Sequence, residues 1–323
     1  MKQQLWDSKP YYSLNYYFQS VYGQKIYKIA LDGGMTCPNR DGTIDHRGCI
    51  FCSRGGSGDF AEPMNKEQPD IRTQITKGKE RLRAKYSGTG FVAYFQSYTN
   101  TYAPTDYLRR IFSDALEEPE IVGISIATRP DCLSGEVIAL LRKLSEKYPE
   151  KFIWVELGLQ TIHRESIAYI RRGYDNSVFE EAVKKLQQIQ IPVIVHIILG
   201  LPGETKEQML STIEYLNTFP LFGVKLQLLH VLEGTDLATH FVNREFDVLT
   251  MNEYIDILIE CLEHLNPETV IHRVTGDGPK NILIAPVWSS DKKQVLNGLL
   301  REMNNRNSWQ GKQYQHSDGF QTI

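Results

Sequence analysis

Short apolar runs separated by helical stripes dominate the middle of this chain. Phe91–Ser97, Ile121–Ala127, Phe152–Leu159, Val193–Gly200 and Val224–His230 are largely apolar and rich in β-branched and aromatic residues. A strand that is apolar on both faces is buried on both faces, as in a parallel sheet covered by helices. The segments between them keep a helical period. Val137, Leu140, Leu141 and Leu144 recur at i, i+3, i+4 and i+7 behind Ser134. Ser177 with Glu180 reads as a capping box before Ala182, Val183, Leu186 and Ile189, and Thr205 with Gln208 as another before Met209, Leu210, Ile213 and Leu216. Lys25–Leu31 supplies a first strand, which makes six strand–helix units. The pattern predicts an α/β chain: an incomplete (β/α)6 TIM-like barrel with N- and C-terminal extensions.

Three regions follow, 1–25, 26–235 and 236–323. Residues 1–25 carry Tyr11, Tyr12, Tyr16, Tyr17 and Tyr22 with no clean period. Packing across the barrel is expected of these rings, and base stacking is the alternative. A helix is expected over Lys66–Tyr86, stopped by Ser87-Gly88-Thr89-Gly90. In the last region Asn252–Leu265 forms an amphipathic helix with Ile255, Leu258, Leu262 and Leu265 inward. Val270–Val274 and Ile282–Val287 read as short extra strands around a glycine-rich turn, and Lys292–Asn305 as a final helix. The polar tail from Asn307 is expected to fray.

Composition narrows the class without deciding it. With 323 residues, 41% hydrophobic and 23% charged, the chain can bury a sizeable core as one large domain. No apolar run approaches the ~18–20 residues that cross a bilayer, so no membrane partner is expected. The N-terminus lacks the apolar core of a signal peptide. A cytoplasmic location is the expectation, and it suits reduced thiols. A net charge of −3 argues against chain-wide affinity for nucleic acid. Locally, Lys66, Arg72, Lys77, Lys79, Arg81, Arg83 and Lys85 outnumber Glu67, Asp70 and Glu80. That stretch is either a solvated helix face or a surface for RNA phosphates.

The polar residues that interrupt the apolar runs carry more information. Gln96 and Ser97 end the second run, and Thr128-Arg129-Pro130-Asp131 follows the third. Glu156 and Gln160 belong to the fourth, His196 to the fifth and Gln227 to the sixth. A charged group inside a buried run costs several kcal/mol unless it finds a partner. One such residue alone, His196 for instance, is more often a satisfied core group. A succession of them at strand ends points to the open mouth of a barrel.

Above that mouth the sequence places its cysteines. Cys37, Cys49 and Cys52 fall within sixteen positions, directly after the first strand. Pro38, Gly42 and Gly48 shape the loop between them. A structural zinc site takes four ligands, and an iron–sulfur cube normally takes four cysteines. Three thiolates leave one metal position open. Cys132 and Cys261 stand apart, and Cys261 reads as a small buried hydrophobe. Ser53–Asp59 lacks both the GxxxxGK[ST] and GxGxxG phosphate-loop patterns.

The stretch KIALDGGMTCPNRDGTIDHRGCIFCS resembles the cluster loop of the radical S-adenosylmethionine (SAM) superfamily. Eleven residues separate the first two cysteines, where three are usual, and that spacing resembles the branch of the elongator catalytic subunit. The resemblance runs from about Tyr11 to about Leu300. It implies a partial barrel, a [4Fe–4S] cluster on Cys37, Cys49 and Cys52, and SAM on the fourth iron. It places Ser97 and Thr99 at the SAM amino group, and Glu156 and Gln160 at its ribose or carboxylate. Arg129 and Asp131, in TRPD, and Arg172, in the basic turn, match neighbouring cofactor motifs. His196 and Gly200, in VHIILGLPGET, approach adenine, and Phe51 packs on that ring. The resemblance further implies a reducing electron donor of flavodoxin or ferredoxin type and a tRNA partner. Its concrete version is conversion of carboxymethylaminomethyl to aminomethyl on a wobble uridine. Two alternatives stay open: radical chemistry on a small metabolite or tetrapyrrole, and a non-enzymatic, metal-stabilised RNA-binding module.

Overall fold

The computed structural model of the protein describes residues 2–56, 70–83, 90–276 and 278–315. Chain order begins α1 (Leu14–Tyr22), β1 (Ile26–Leu31), α2 (Ile71–Arg83), β2 (Gly90–Phe95), α3 (Thr105–Leu116) and β3 (Ile121–Thr128). It continues α4 (Gly135–Lys147), β4 (Phe152–Gln160), α5 (Arg164–Tyr169), α6 (Asn176–Gln188), β5 (Val193–Leu199), α7 (Lys206–Leu216) and β6 (Gly223–Leu228). The last part holds β7 (Val231–Leu232), α8 (Asp236–Val242), α9 (Met251–His264), β8 (Val270–Arg273), β9 (Leu283–Ala285) and α10 (Lys292–Asn305). The large sheet has the order β1-β2-β3-β4-β5-β6-β8, and β7 pairs antiparallel with β9. This is the α/β, incomplete TIM-like barrel that alternating strands and helices predict. Its sheet is one strand wider than the six runs suggest. Val270–Arg273 pairs in parallel with β6 because Val270 and Ile271 offer buried apolar side chains in register with Gly223 and Val224.

The chain divides into two compact units. The first comprises Phe18–Gly158 and Arg171–Ile194. All six residues of β2 are buried, as a strand covered on both faces must be. Leu108, Ile111, Phe112 and Ala115 on α3 and Val137, Leu140, Leu141 and Leu144 on α4 form the apolar stripes of this unit, with Phe179, Ala182, Val183 and Leu186 on α6. The parallel registers match Leu31 with Phe95, Phe95 with Ile126, and Thr128 with Leu157. The segments that leave β1, β2 and β3 therefore emerge along one edge. Phe18 stacks on Trp154 with centroids 5.8 Å apart, and Phe152 stacks on Trp154 at 3.9 Å.

The second unit comprises Met1–Tyr17, Leu159–Ile170 and Val195–Ile323. Its helices bury Met209, Ile213 and Leu216 on α7, Ile255, Leu258 and Leu262 on α9, and Val295, Leu299 and Met303 on α10. Cys261 is fully buried on α9, the apolar role expected of it.

Local signals fared unevenly. Ser134 caps α4 by accepting from the Val137 amide, and Thr205 with Gln208 closes a complete capping box on α7. The box read at Ser177 is not formed. Helix α6 starts earlier, after Asp175, which puts Ser177 inside its first turn. Residues 14–22 form a helix that the tyrosine-rich sequence hides. Phe18 and Tyr22 lie one turn apart and meet edge to face, 6.0 Å between centroids. The tail is docked rather than frayed as far as it is described. Trp309 and Gln310 are buried, and Gln310 donates to the Asn266 and Thr269 carbonyls while accepting from the Tyr12 amide.

Candidate metal and cofactor centre

The cysteine loop leaves β1 in the first unit and is folded by its own backbone. The Arg40 and Asp41 amides donate to the Cys37 carbonyl, the Gly48 amide to the Asn39 carbonyl, and the Cys52 amide to the Cys49 carbonyl. Gly48 sits at φ +78°, and a Cβ there would lie 2.8 Å from Arg40 Nε, so only glycine keeps both the left-handed turn and the arginine in place. Arg40 in turn donates to the Cys52 and Ser53 carbonyls, each at 2.7 Å. Cys37, Cys49 and Cys52 are free thiols, each half-buried. Burial pushes the Cys49 thiol up to about 12, and the neighbouring Cys52 and Cys37 sulfurs push the same way, against Arg129 and Asn39. A protonated thiol binds metal poorly, whereas a bound cation deprotonates its thiols outright. Among the described residues no three His, Cys, Asp or Glu side chains are spaced to hold one ion. A cubane held by one thiolate at each of three irons asks for no such convergence.

The other strand ends of this unit meet the loop. The Thr99 amide donates to the Thr36 carbonyl at 3.2 Å, and Ser97 and Thr99 are 2% and 1% exposed. Arg129 binds Asp131 through two hydrogen bonds, 3.0 and 2.7 Å, and donates to the Arg172 carbonyl at 2.9 Å. Burial opposes the Arg129 charge, but Asp131 overcomes it and holds the guanidinium more firmly protonated. Arg172 is itself buried and donates to the Tyr174 carbonyl and to Asn176. Both guanidiniums lie over the Tyr174 ring, at 4.8 and 4.6 Å. Arg129, Asp131 and Arg172 thus hold the turn Arg171–Gly173 at the end of β3. Phe51 is half-buried within that loop.

Glu156 has a different setting. Its side chain is fully buried, its carboxylate is 3.1 Å from Lys28 Nζ on β1, and Ser125 on β3 donates to it at 2.6 Å. Gln160, His196 and Gly200 belong to the second unit. Gln160 adopts φ +67°, and its buried Oε1 has no hydrogen-bond partner. His196 Nδ1 is 3.5 Å from Gln227 Nε2, and the Gly200 amide, at φ +84°, faces Met209 sulfur at 3.3 Å.

Asn39 lies within the CPNRDG stretch, but its role is not legible from the sequence. Asn39 is 1% exposed and donates to the Arg171 carbonyl at 2.7 Å, with the Cys49 sulfur at 3.5 Å. Asn100 and Thr101 were also missed. Asn100 donates to the Ala127 carbonyl, and Thr101 bonds Thr128. A cavity of about 610 Å³ lies beside the loop, lined by Pro38, Thr43, Ile44, Tyr102, Asp131 and Cys132 among others. The basic stretch on α2 is laced with ion pairs: Arg72 with Asp114, Glu117 and Glu118, Lys79 with Glu118 and Glu120, Arg83 with Glu120. These acids offset the charge that phosphates would need. Lys66 and Lys85 lie outside the described residues.

The donor set fits an iron–sulfur cluster. Three free thiols share one loop, and the buried Gln96 Nε2, Asn39 Oδ1 and Asn100 Oδ1 have no hydrogen-bond partner, as where a polar ligand completes a site. A partial α/β barrel with such a loop after its first strand defines a class of cluster-bearing barrel enzymes. The family described as the Radical SAM superfamily matches residues 45–216, and the Radical_SAM C-terminal domain matches 222–305. Protein YtqA of Bacillus subtilis (strain 168) is 42% identical over 95% of this chain and 94% of its own length. A tRNA uridine(34) acetyltransferase of Methanocaldococcus jannaschii is 28% identical over 83% of this chain, which spans 55% of that protein. The solved structure of archaeal Methanocaldococcus infernus Elp3 with an N-terminal deletion superposes with a TM-score of 0.67 at 18% identity, over 88% of this chain and 64% of that one. The chain belongs to the radical SAM superfamily. It is a radical SAM enzyme, and the superfamily's cofactors are a [4Fe–4S] cluster and SAM. Membership sets aside the reading as a non-enzymatic RNA-binding module. No helix among the described residues is long and apolar enough to cross a membrane.

Proposed function

We propose that this enzyme modifies the wobble uridine of tRNA, converting a carboxymethylaminomethyl group to aminomethyl. A hydrogen atom leaves the carbon between amine and carboxylate to the SAM-derived radical, an electron follows to the cluster, and water cleaves the resulting imine to the amine and a two-carbon oxo acid. The observation that carries the tRNA reading is the likeness, across 83% of the chain, to a protein named for tRNA uridine(34). In this reading Cys37, Cys49 and Cys52 hold the cluster, and SAM completes the fourth iron. When bound, the pair supplies a one-electron cleavage of the sulfonium and a radical that takes hydrogen from an unreactive C–H bond.

The chain's own residues orient and enclose. Ser97 and Thr99, nearly inaccessible beside the loop, offer hydroxyls to the SAM amino group. Phe51, half-buried in the same loop, packs on the adenine ring. Arg129, Asp131 and Arg172 act by fixing the turn that borders the loop. Glu156, committed to Lys28 and Ser125, supports the sheet. The barrel of residues 26–235 carries this chemistry, and residues 236–323 extend it. The cytoplasm is the proposed location, with a flavodoxin- or ferredoxin-type reductant.

The test is mass spectrometry of tRNA nucleosides from cells lacking the protein, paired with reconstituted enzyme, SAM, dithionite and that tRNA. Accumulated carboxymethylaminomethyl uridine, converted in vitro only when the cluster is present, is the expected result. An unchanged nucleoside profile with no conversion in vitro would move the substrate to a small metabolite or tetrapyrrole.

A further inference from the structure

Arg171 and Gly173 both adopt left-handed backbone, φ +54° and +81°. Outside glycine that conformation is uncommon and persists where its surroundings enforce it. Here the enforcement comes from the cysteine loop. Asn39 Nδ2 donates to the Arg171 carbonyl at 2.7 Å, with the Arg172 carbonyl at 3.4 Å. Gly173 leaves room for the amide: a Cβ there would lie 2.9 Å from Asn39 Oδ1. The amide's orientation is not arbitrary. Two backbone carbonyls face its nitrogen, and carbonyls accept only from a donor, so turning the group over would set oxygen against oxygen. With one N–H so engaged, the second is directed at the Cys49 sulfur, 3.5 Å away.

We propose that Asn39 is a positioning residue that sets the reduction potential of the cluster through an N–H···S hydrogen bond to Cys49. This rests on the reading that Cys49 ligates the cluster. Hydrogen bonds to cluster sulfurs are one of the levers on potential, because they stabilise the more electron-rich reduced state more than the oxidised one. Burial strengthens the effect, since the Asn39 side chain is 1% exposed and no water competes for its N–H groups. The Arg171 carbonyl has a second part in this. By holding one N–H it aims the other, so the strained turn and the thiolate are coupled through a single amide.

The experiment compares anaerobically reconstituted wild type with Asn39→Asp, which keeps the shape but not the donors, and Asn39→Ala. Iron and sulfide content are measured first, then the midpoint potential by EPR-monitored titration. Both variants should load iron and be harder to reduce, with about a tenfold lower equilibrium constant for reduction, or about 59 mV for one electron. Loaded variants with unshifted potentials would overturn the proposal and leave the cluster assignment intact. A wild type that forms no four-iron cluster would instead overturn the site reading itself. If neither variant loads, wild type labelled with nitrogen-15 in the asparagine side chains decides. Electron–nuclear double resonance on the reduced cluster should show coupling to one such nitrogen, and its absence would refute the bond.

Discussion

The pairing of Lys28 with Glu156 gives a prediction that separates structure from cofactor binding. The two charges are 3.1 Å apart, where Coulomb's law at an effective dielectric of about 20 gives roughly 5 kcal/mol of attraction before desolvation. The net worth is smaller, and it is asymmetric. Glu156 is fully buried, whereas the Lys28 side chain keeps 22% of its exposure. Lys28→Met takes the cation from a buried carboxylate to which Ser125 still donates, and should cost about 3–5 kcal/mol. Glu156→Gln leaves a cation that can still reach water and an amide that can still accept, and should cost about 1–2 kcal/mol. The double variant Lys28→Met/Glu156→Gln removes both charges and should recover most of the loss, giving a coupling energy of about 2 kcal/mol or more. Urea unfolding at neutral pH measures all four corners, and isothermal titration with SAM on loaded protein adds the functional readout. The double variant should retain SAM affinity if Glu156 supports the sheet. Equal costs for the two single variants, or loss of SAM binding in a well-folded double variant, would refute the reasoning and return Glu156 to the cofactor.

Other expectations follow from the same geometry. Cys37→Ala, Cys49→Ala or Cys52→Ala should abolish cluster assembly and dithionite-dependent SAM cleavage, whereas Cys261→Ala should leave iron content unchanged; full cleavage by Cys49→Ala would sink the assignment. Replacing Lys77 and Arg81 with Gln should leave the salt dependence of tRNA binding unchanged, because α2 is balanced by Glu117, Glu118 and Glu120; a slope smaller by about 0.7–0.9 per lost phosphate contact would restore that helix to the docking surface. Burial raises the Glu204 carboxyl above its usual 4.5, against the hydrogen bond from Thr161. The native state then binds more protons than the unfolded one from pH 4.5 upward, so this group's contribution to stability falls as pH rises through the raised pKa. Glu204→Gln should flatten that dependence in urea unfolding at a series of pH values, and an unaltered profile would contradict it. Gly173→Ala should destabilise by about 1 kcal/mol or more, since its φ of +81° and the nearby Asn39 oxygen both oppose a side chain.

Much of this could be read along the chain. The strands showed because a doubly buried strand must be apolar at almost every position, as β2 is. Caps at Ser134 and Thr205 showed because a cap is made within three residues. Helix α1 did not, since its tyrosines give no apolar stripe until Phe18 finds Phe152 and Trp154. The polar residues at the strand ends were legible as a group, but their partners were not.

The sequence by itself determined the strand–helix alternation, the cysteine loop after the first strand and hence the family and its cofactors, because these are properties of neighbouring residues. Only the tertiary structure decided what each buried polar group does. Lys28 meets Glu156 across 128 positions, Asn39 reaches Arg171 across 132, and Arg129 reaches the Arg172 carbonyl across 43. A buried charge or amide must find a partner, but which one it finds is set by strand register and loop path, and no local pattern records those.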